Sequence, residues 1–202
     1  MKEDSAGPTP GSDSKGEDFQ VILDVLSGNR NAYTVIVRKY EQKVRGYCRT
    51  ALQDAVQADD AAQEIFLKAY QSLGSFKGNS SFSTWIYRIA FNHCTDLLRK
   101  RSRQKSESLE ALIESEGEKI EIVLESPDTA SAAEAQEITT ALLAELPENY
   151  REILILREIE QLSYEEISIC LEASLDTVKS RLKRARQELA LKARHFLKVK
   201  GV

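Results

Sequence analysis

Two segments of the sequence place several basic side chains close together. The first contains Arg88, Arg99 and Lys100. The second contains Lys179, Arg181, Lys183 and Arg184. Lys and Arg bind phosphate oxygens, and the counterions that they release favour association with nucleic acid. A single basic run is more often a solvated helix face, so each run needs a second signal beside it before it indicates nucleic-acid binding.

A third group, Asp60, Gln63 and Glu64, combines two carboxylates with an amide. Residues three and four apart lie on one side of a helix, so these three side chains share a face. They can accept charge-assisted hydrogen bonds from partner arginines. They can also form a solvated acidic face or a weak divalent-ion site. The spacing alone does not choose among these three roles.

The formal net charge of −4 conceals a strong segregation of charge along the chain. Residues 1–18 have a net charge of −3, residues 19–106 of +7, residues 107–148 of −11 and residues 149–202 of +3. Two basic bodies are therefore joined by an acidic connector. Because phosphate binding depends on local charge, the overall acidity of the chain does not exclude binding to nucleic acid.

The composition favours helices and excludes several classes of protein. Nine Gly, four Pro and 7% aromatic residues do not suit a turn-dense β protein. The longest stretch without a charged residue, 78–87, is far shorter than the ~20 residues that cross a bilayer. The three cysteines, Cys48, Cys94 and Cys170, fit neither a disulfide framework nor a CxxC metal pair. We therefore expect a cytoplasmic protein with no metal, no cofactor, no secretory signal and no membrane insertion.

Apolar periodicity predicts helices over most of the chain and divides it into four parts. Residues 1–18 are predicted to be a disordered tail, and residues 19–103 a first helical domain. Residues 104–132 are acidic and without a sustained period, which indicates a linker, and residues 133–202 form a second helical domain. The predicted fold class is all-α, with two small helical domains joined by a flexible acidic linker.

The second domain contains the signals of a helix-turn-helix. Ser163 and Glu166 have the spacing of a capping box that begins a short helix. The break at 172–174 ends that helix, and Ser174 can cap a long basic helix that follows. Val178 and Leu182 fall on the side opposite the lysines, which favours a nucleic-acid recognition helix over an ordinary helical hairpin.

These motifs resemble those of a known family across nearly the whole chain from Phe19. Residues 60–70 (DAAQEIFLKAY), 76–78 (FKG) and 81–92 (SFSTWIYRIAFN) are similar to region 2 of extracytoplasmic-function (ECF) sigma factors, which belong to the sigma-70 family. Residues 146–148 (LPE), 162–167 (LSYEEI) and 177–182 (TVKSRL) are similar to region 4 of the same factors. The sigma-E-like group shows the nearest pattern.

The resemblance implies a transcription initiation factor, without catalysis of its own, that directs core RNA polymerase to particular promoters. It assigns Asp60, Gln63 and Glu64 to the β′ clamp of the polymerase, with the β flap as a further contact of the factor. It assigns the minus-ten promoter element to Phe76, Lys77, Trp85, Arg88, Asn92, Arg99 and Lys100. It assigns the minus-thirty-five element to Lys179, Ser180, Arg181, Lys183 and Arg184. An anti-sigma factor is also expected as a partner.

Several alternatives stay open at this point. Phe76 and Trp85 could stack on melted bases or anchor the core, because aromatic side chains bury large areas. The chain could be an autonomous helix-turn-helix regulator, although that function leaves residues 60–103 unexplained. It could also be a helical metal-dependent nucleotide hydrolase that uses Asp59, Asp60 and Glu64, a function that needs further inward-facing acids on a neighbouring helix.

The distance between the two promoter elements limits the conformation of the chain. Reading surfaces one and a half turns of duplex apart are separated by ~50 Å. A relaxed linker of thirty-odd residues spans on average only ~30 Å. We therefore expect the polymerase, and not the chain alone, to set the spacing of the two domains.

Overall fold

The structure is a computed structural model that describes residues 12–111 and 132–199, with side chains at 16–104 and 138–196. The described residues form eight α-helices and no strand, which confirms the all-α fold class. The first four are α1 (Ser12–Leu26), α2 (Tyr33–Leu52), α3 (Ala55–Ser72) and α4 (Phe82–Ala111). The last four are α5 (Ala132–Ala144), α6 (Glu148–Leu154), α7 (Tyr164–Cys170) and α8 (Leu175–Val199). Short 3₁₀ turns at Arg30–Ala32 and Leu73–Ser75 and a π turn at Ile155–Ile159 complete the ordered elements.

Two helices extend beyond the predicted domain bounds. Helix α1 begins at Ser12, inside the segment predicted to be a tail, and residues 1–11 lie outside the described residues. The carboxylate of Asp18 is buried and accepts hydrogen bonds from the hydroxyl of Tyr40 at 2.5 Å and from Nζ of Lys39 at 2.6 Å, which fixes this end of α1. Helix α4 continues to Ala111, past the predicted start of the linker. The residues beyond 103 are mostly good helix formers, and the rest of the predicted linker, 112–131, lies outside the described residues.

The first bundle is built from the apolar faces that the periodicity predicted. On α2 the buried residues Ile36, Tyr40, Val44 and Tyr47 recur at three- and four-residue steps. They pack against α3 and α4, whose buried residues include Ala61, Ile65, Phe82, Ile86 and Ala90. Helix α3 begins where the side chain of Asp54 accepts a hydrogen bond from the backbone N–H of Gln57 at 3.0 Å.

The second bundle contains the predicted helix-turn-helix. Ser163 Oγ accepts a hydrogen bond from the Glu166 N–H at 3.1 Å, and Glu166 Oε2 accepts one from the Ser163 N–H at 2.9 Å, which confirms the capping box. Ser174 Oγ accepts from the Thr177 N–H at 3.2 Å and caps α8 as predicted. Val178 and Leu182 are buried, so the opposite side of α8 faces outward.

The two bundles are in contact. Helix α4 lies against α7, and α2 lies against α5 and α6. The thiol of Cys170 donates to the carbonyl of Thr84 at 3.3 Å. Arg151 of α6 reaches the carbonyl of Ala51 at the end of α2 with Nη1 at 3.0 Å. The two bundles therefore pack against each other.

Arg151 also closes the end of α5. Its Nε donates to the Leu143 carbonyl at 3.0 Å, and its Nη2 donates to the carbonyls of Ala144 and Leu146 at 3.1 Å each. One guanidinium thus satisfies four carbonyl oxygens, three in its own bundle and one in the other. Burial lowers the pKa of Arg151 from its ordinary value, against the opposing effects of Glu148 and Glu152.

We predict that Arg151→Lys destabilises the chain by about 2–4 kcal/mol, because an ammonium cannot reproduce the planar array of donors and leaves buried carbonyls unpaired. The measurement is urea unfolding followed by circular dichroism. The matched control is Arg38→Lys at an exposed position of α2, which should change the free energy of unfolding by less than about 0.5 kcal/mol. Equal small effects of the two substitutions would contradict this role of Arg151.

Candidate nucleic-acid interface

The loop before α4 is held by a cluster of aromatic rings. Phe76 is 9% exposed, and its ring centroid lies 5.7 Å from that of Phe82 and 5.4 Å from that of Trp85. Of the two roles left open for Phe76, the structure favours packing in the core, because its ring is enclosed by its neighbours. Trp85 is half-buried against Phe82, with ring centroids 5.5 Å apart. Its main contacts are thus with the core, while the adjacent Lys77 is exposed.

The outer side of α4 presents polar and basic side chains. Asn92, Arg99 and Lys100 are exposed, as predicted from helical spacing. Arg99 makes a loose ion pair with Asp96 at 3.5 Å, an exposed pair that holds the side chain weakly. Arg88 is half-exposed and forms an ion pair with Glu172, which lies in the turn between α7 and α8. The amide of Asn92 is thus available at the surface, flanked by cations along one helix.

The beginning of α8 forms a second basic surface. Lys179, Ser180, Lys183 and Arg184 are all exposed. Arg181 differs from these four, because it is half-buried and its charge acts to lower the pKa of the buried Glu152. Its position places it at the edge of this surface.

One further basic side chain of α8 is fixed in place. Arg186 donates from Nε at 2.9 Å and from Nη2 at 2.7 Å to one oxygen of Glu158. This pair orients Arg186 toward the π turn of its own bundle.

The acidic and amide side chains of α3 lie together at the surface. Asp60, Gln63 and Glu64 are exposed, so the predicted common face exists. Asp59 pairs instead with Arg45 at 3.4 Å and Arg49 at 3.3 Å, and these two cations occupy the carboxylate. Within residues 12–111 and 132–199, no group of three His, Cys, Asp or Glu side chains could hold a metal ion.

A row of carboxylates joins the second bundle to α4, and no sequence signal pointed to it. Glu166 Oε1 accepts from the Thr84 hydroxyl at 2.8 Å and from the Ser81 hydroxyl at 3.3 Å. Glu152 Oε1 accepts from the Thr95 hydroxyl at 3.0 Å. Glu160 accepts from the Tyr87 hydroxyl, and Glu172 pairs with Arg88. Because the partners are more than fifty residues apart in sequence, only the packed structure brings them together.

Burial and hydrogen bonds shift the pKa of three members of this row, Glu152, Glu160 and Glu166, in different directions. Burial raises the pKa of Glu152 to about 7, against the lowering effect of the hydrogen bond from Thr95. Burial also raises the pKa of Glu160. Burial likewise raises the pKa of Tyr87, and the negative charge of Glu160 raises it further. For Glu166, burial acts in the raising direction, but the hydrogen bonds from Ser163 and Thr84 prevail and lower its pKa. The interface between the bundles therefore contains both a carboxylate and a carboxyl that tends to hold its proton.

The comparisons with known proteins match both halves of the chain. The model of sigma-70 region 2 matches residues 36–104, and that of sigma-70 region 4 matches residues 136–189. The chain is 38% identical over 177 residues to the RNA polymerase sigma-H factor of Pseudomonas aeruginosa, covering 86% of this chain and 92% of the relative. It is 32% identical over 184 residues to the ECF RNA polymerase sigma-E factor of Escherichia coli K12, covering 89% of this chain and 96% of the relative.

Two solved structures share the fold. The sigma factor RpoE of Bartonella quintana, crystallised with the anti-sigma factor NepR, superposes with a TM-score of 0.65 at 23% identity, covering 80% of this chain and 96% of that one. CnrH in complex with the cytosolic domain of CnrY superposes with a TM-score of 0.62 at 22% identity, covering 88% of this chain and 95% of that one. Among the helices that the structure describes, none is long and apolar enough to cross a membrane.

We predict that Glu152→Gln removes a pH dependence of stability. Glu152 is 4% exposed, and its pKa is raised to about 7 from 4.5. The folded chain therefore holds the proton of Glu152 more tightly than the unfolded chain does. The stability that this proton contributes is fully present below pH 4.5 and is lost as the pH rises through 7. Such a raised pKa costs the folded state about 3 kcal/mol at pH 8, and the neutral amide avoids this cost.

The measurement is urea unfolding of wild type and variant from pH 5 to pH 8. The advantage of Glu152→Gln should be small at pH 5 and grow to about 2–3 kcal/mol at pH 8. Glu165→Gln, at an exposed position of α7, serves as the matched control and should show no growing difference. A difference for Glu152→Gln that stays constant over this pH range would refute the assignment.

Proposed function

Because the chain belongs to the sigma-70 family of transcription initiation factors and to its ECF group, we propose that its three exposed surfaces carry out the successive contacts of promoter recognition. As an ECF sigma factor of the sigma-E-like kind, it binds core RNA polymerase and directs promoter recognition, melting and transcription initiation.

The first contact is between α3 and the polymerase. Asp60, Gln63 and Glu64 form an exposed face that can accept hydrogen bonds from arginines of the β′ clamp. The nearby Asp59 is already paired with Arg45 and Arg49, so it helps to fix α3 against α2. We assign the docking face to the three exposed residues and a supporting role to Asp59. The β flap is the partner assigned to the second bundle.

The second contact is between α4 and the melted minus-ten element. The observation that carries this assignment is the exposure of Asn92 on the same side of α4 as Arg88 and Arg99. An amide can donate and accept toward the edge of an unstacked base, and flanking cations can follow the backbone of a single strand. Lys77 and Lys100 extend the cationic surface to the two ends of this region. Phe76 and Trp85 support the loop from within.

The third contact is between α8 and the major groove at the minus-thirty-five element. The helix-turn-helix presents Lys179, Ser180, Lys183 and Arg184 at the exposed start of α8. Basic side chains at the start of a recognition helix contact base edges and phosphates. Arg181 lies at the edge of this basic surface. Its positive charge attracts the phosphates along the groove and also acts on the buried Glu152.

The compact arrangement is the state that polymerase must open. The ion pair between Arg88 and Glu172 puts the helix-turn-helix turn beside the minus-ten surface. The two promoter elements lie ~50 Å apart along the duplex, so the compact chain cannot occupy both. Polymerase therefore sets the spacing of the two bundles by binding each of them.

The remaining assignments follow from the family. The chain acts in the cytoplasm, where core RNA polymerase is found, and it has no catalysis and no cofactor of its own. An anti-sigma factor is a further expected partner, and RpoE, whose fold this chain shares, was crystallised with the anti-sigma factor NepR. An autonomous helix-turn-helix regulator is not favoured, because residues 36–104 match sigma-70 region 2.

The test is run-off transcription with purified core polymerase on a matched promoter. Asn92→Ala should reduce the rate of promoter melting by about tenfold and leave initial binding intact, because it removes a contact to an unpaired base. Lys183→Ala should weaken initial binding by about tenfold and reduce its salt dependence by roughly one ion. Permanganate reactivity of unpaired thymines reports melting, and mobility shifts at several salt concentrations report binding.

Two exposed residues provide matched controls. Asn31→Ala removes an amide from the 3₁₀ turn before α2, and Arg194→Ala removes a charge farther along α8 than Lys183. Both variants should transcribe at the wild-type rate. If Asn92→Ala and Lys183→Ala also transcribe at that rate, the residue assignments are wrong. If wild type yields no start-specific product from any promoter of a genome-wide library, the assigned function fails.

A further inference from the structure

The loop between Phe76 and Ser81 contains Gly78, and the aromatic ring of Phe19 from α1 lies over it. Gly78 has a φ of +70°, in the left-handed region. A Cβ at this position would lie 3.1 Å from Cε2 and 3.4 Å from Cδ2 of Phe19. The three atoms nearest to this point all belong to that ring. Glycine is therefore required here both by its backbone conformation and by the close approach of Phe19.

The middle of the loop has few other restraints. Phe76 holds its start within the aromatic cluster, and Ser81 holds its end through its hydroxyl, which accepts from the Thr84 N–H at 3.1 Å. In the described part of the chain, no backbone N–H from Lys77 to Ser80 donates to another backbone group. Within the segment Ser80 Oγ donates to the Ser81 carbonyl at 3.3 Å, and at Gly78 the ring of Phe19 supplies a packing contact.

Phe19 is itself held by a rigid support. The preceding residue, Asp18, is buried and bonded to Lys39 and Tyr40, and the ring of Tyr40 packs on Phe82 at a centroid distance of 5.4 Å. Farther along α1, Ile22 and Val25 are buried in the same core. The ring of Phe19 also lies 6.4 Å from that of Phe76. The buried side of α1 thus holds Phe19 in place, while its side chain remains 39% exposed.

We propose that Phe19 is a positioning residue for promoter reading, which holds the 77–80 segment in the conformation that meets the minus-ten element. This inference rests on the proposed function, because it assumes that the loop and α4 face that element. It extends the reading surface to α1, which precedes the residues that match sigma-70 region 2. A loop that is already ordered loses less conformational entropy on binding and discriminates between bases more sharply.

The variants are Phe19→Ala, which removes the ring, and Phe19→Tyr, which keeps it. Leu23→Ala is the matched control, because Leu23 is the next exposed apolar residue on α1 and is 43% exposed. The first readout is the set of ¹⁵N order parameters from Lys77 to Ser80. The second is the ratio of transcription from a matched minus-ten element to that from an element with one base changed.

We expect Phe19→Ala to lower the order parameter at Gly78 from about 0.85 to below about 0.6. It should reduce the discrimination ratio roughly tenfold while leaving binding at the minus-thirty-five element intact. Phe19→Tyr and Leu23→Ala should match wild type in both readouts. A merely structural role would instead lower all activities together, in proportion to the loss of folded protein.

Each contrary result identifies what has failed. Unchanged order parameters in Phe19→Ala overturn the proposal, whatever the promoter measurement shows. Lowered order parameters with unchanged discrimination also overturn it, provided that Asn92→Ala reduces discrimination in the same assay. If Asn92→Ala leaves discrimination unchanged as well, the assignment of α4 to the minus-ten element fails, and with it the role of Phe19 in reading that element.

Discussion

The conformation of this sigma factor depends on which partner groups bind the polar side of α4. In the structure, four glutamates of the second bundle take these positions and bind Thr84, Tyr87, Arg88 and Thr95. The pairing of Arg88 with Glu172 holds the helix-turn-helix against the helix that carries Asn92. Of these four residues, only Arg88 is also among those that we propose contact the minus-ten element. Binding of promoter DNA at Arg88 would replace the Glu172 carboxylate by a phosphate and release the turn between α7 and α8.

The energetics of the row of glutamates make this exchange possible. A hydrogen bond to a charged group contributes about 1.5–3 kcal/mol, but burying the carboxylate opposes that gain. Burial raises the pKa of both Glu152 and Glu160, which shows that the interface carries this cost at two of its positions. Arg151 adds a bond across the bundles to the Ala51 carbonyl. The interface therefore combines specific polar contacts with a cost for burying two of its carboxylates.

Local signals in the sequence predicted much of the fold. The capping box of Ser163 and Glu166 could be predicted because it involves only neighbours in sequence, and the exposure of Asn92 and Lys183 follows from helical period alone. The role of Phe76 stayed open between base stacking and core packing, because sequence does not tell an aromatic residue that stacks on bases from one that packs on Phe82 and Trp85. Asp18 was placed in a tail, since its partners Lys39 and Tyr40 lie in another helix. The bonds from α4 to Glu152 and Glu160 join distant parts of the chain, and no local pattern reveals them.

The most direct test of the account is a distance measured between the two reading surfaces. Spin labels at Asp96→Cys on α4 and Gln187→Cys on α8 occupy exposed positions near Asn92 and Lys183, while the native cysteines are buried. The chain alone should give one short, narrow distance distribution, and adding core polymerase should move it outward, toward the ~50 Å that separates the promoter elements. A distribution that is already long in the chain alone, or that polymerase leaves unchanged, would contradict the claim that the glutamates hold the bundles together until polymerase separates them.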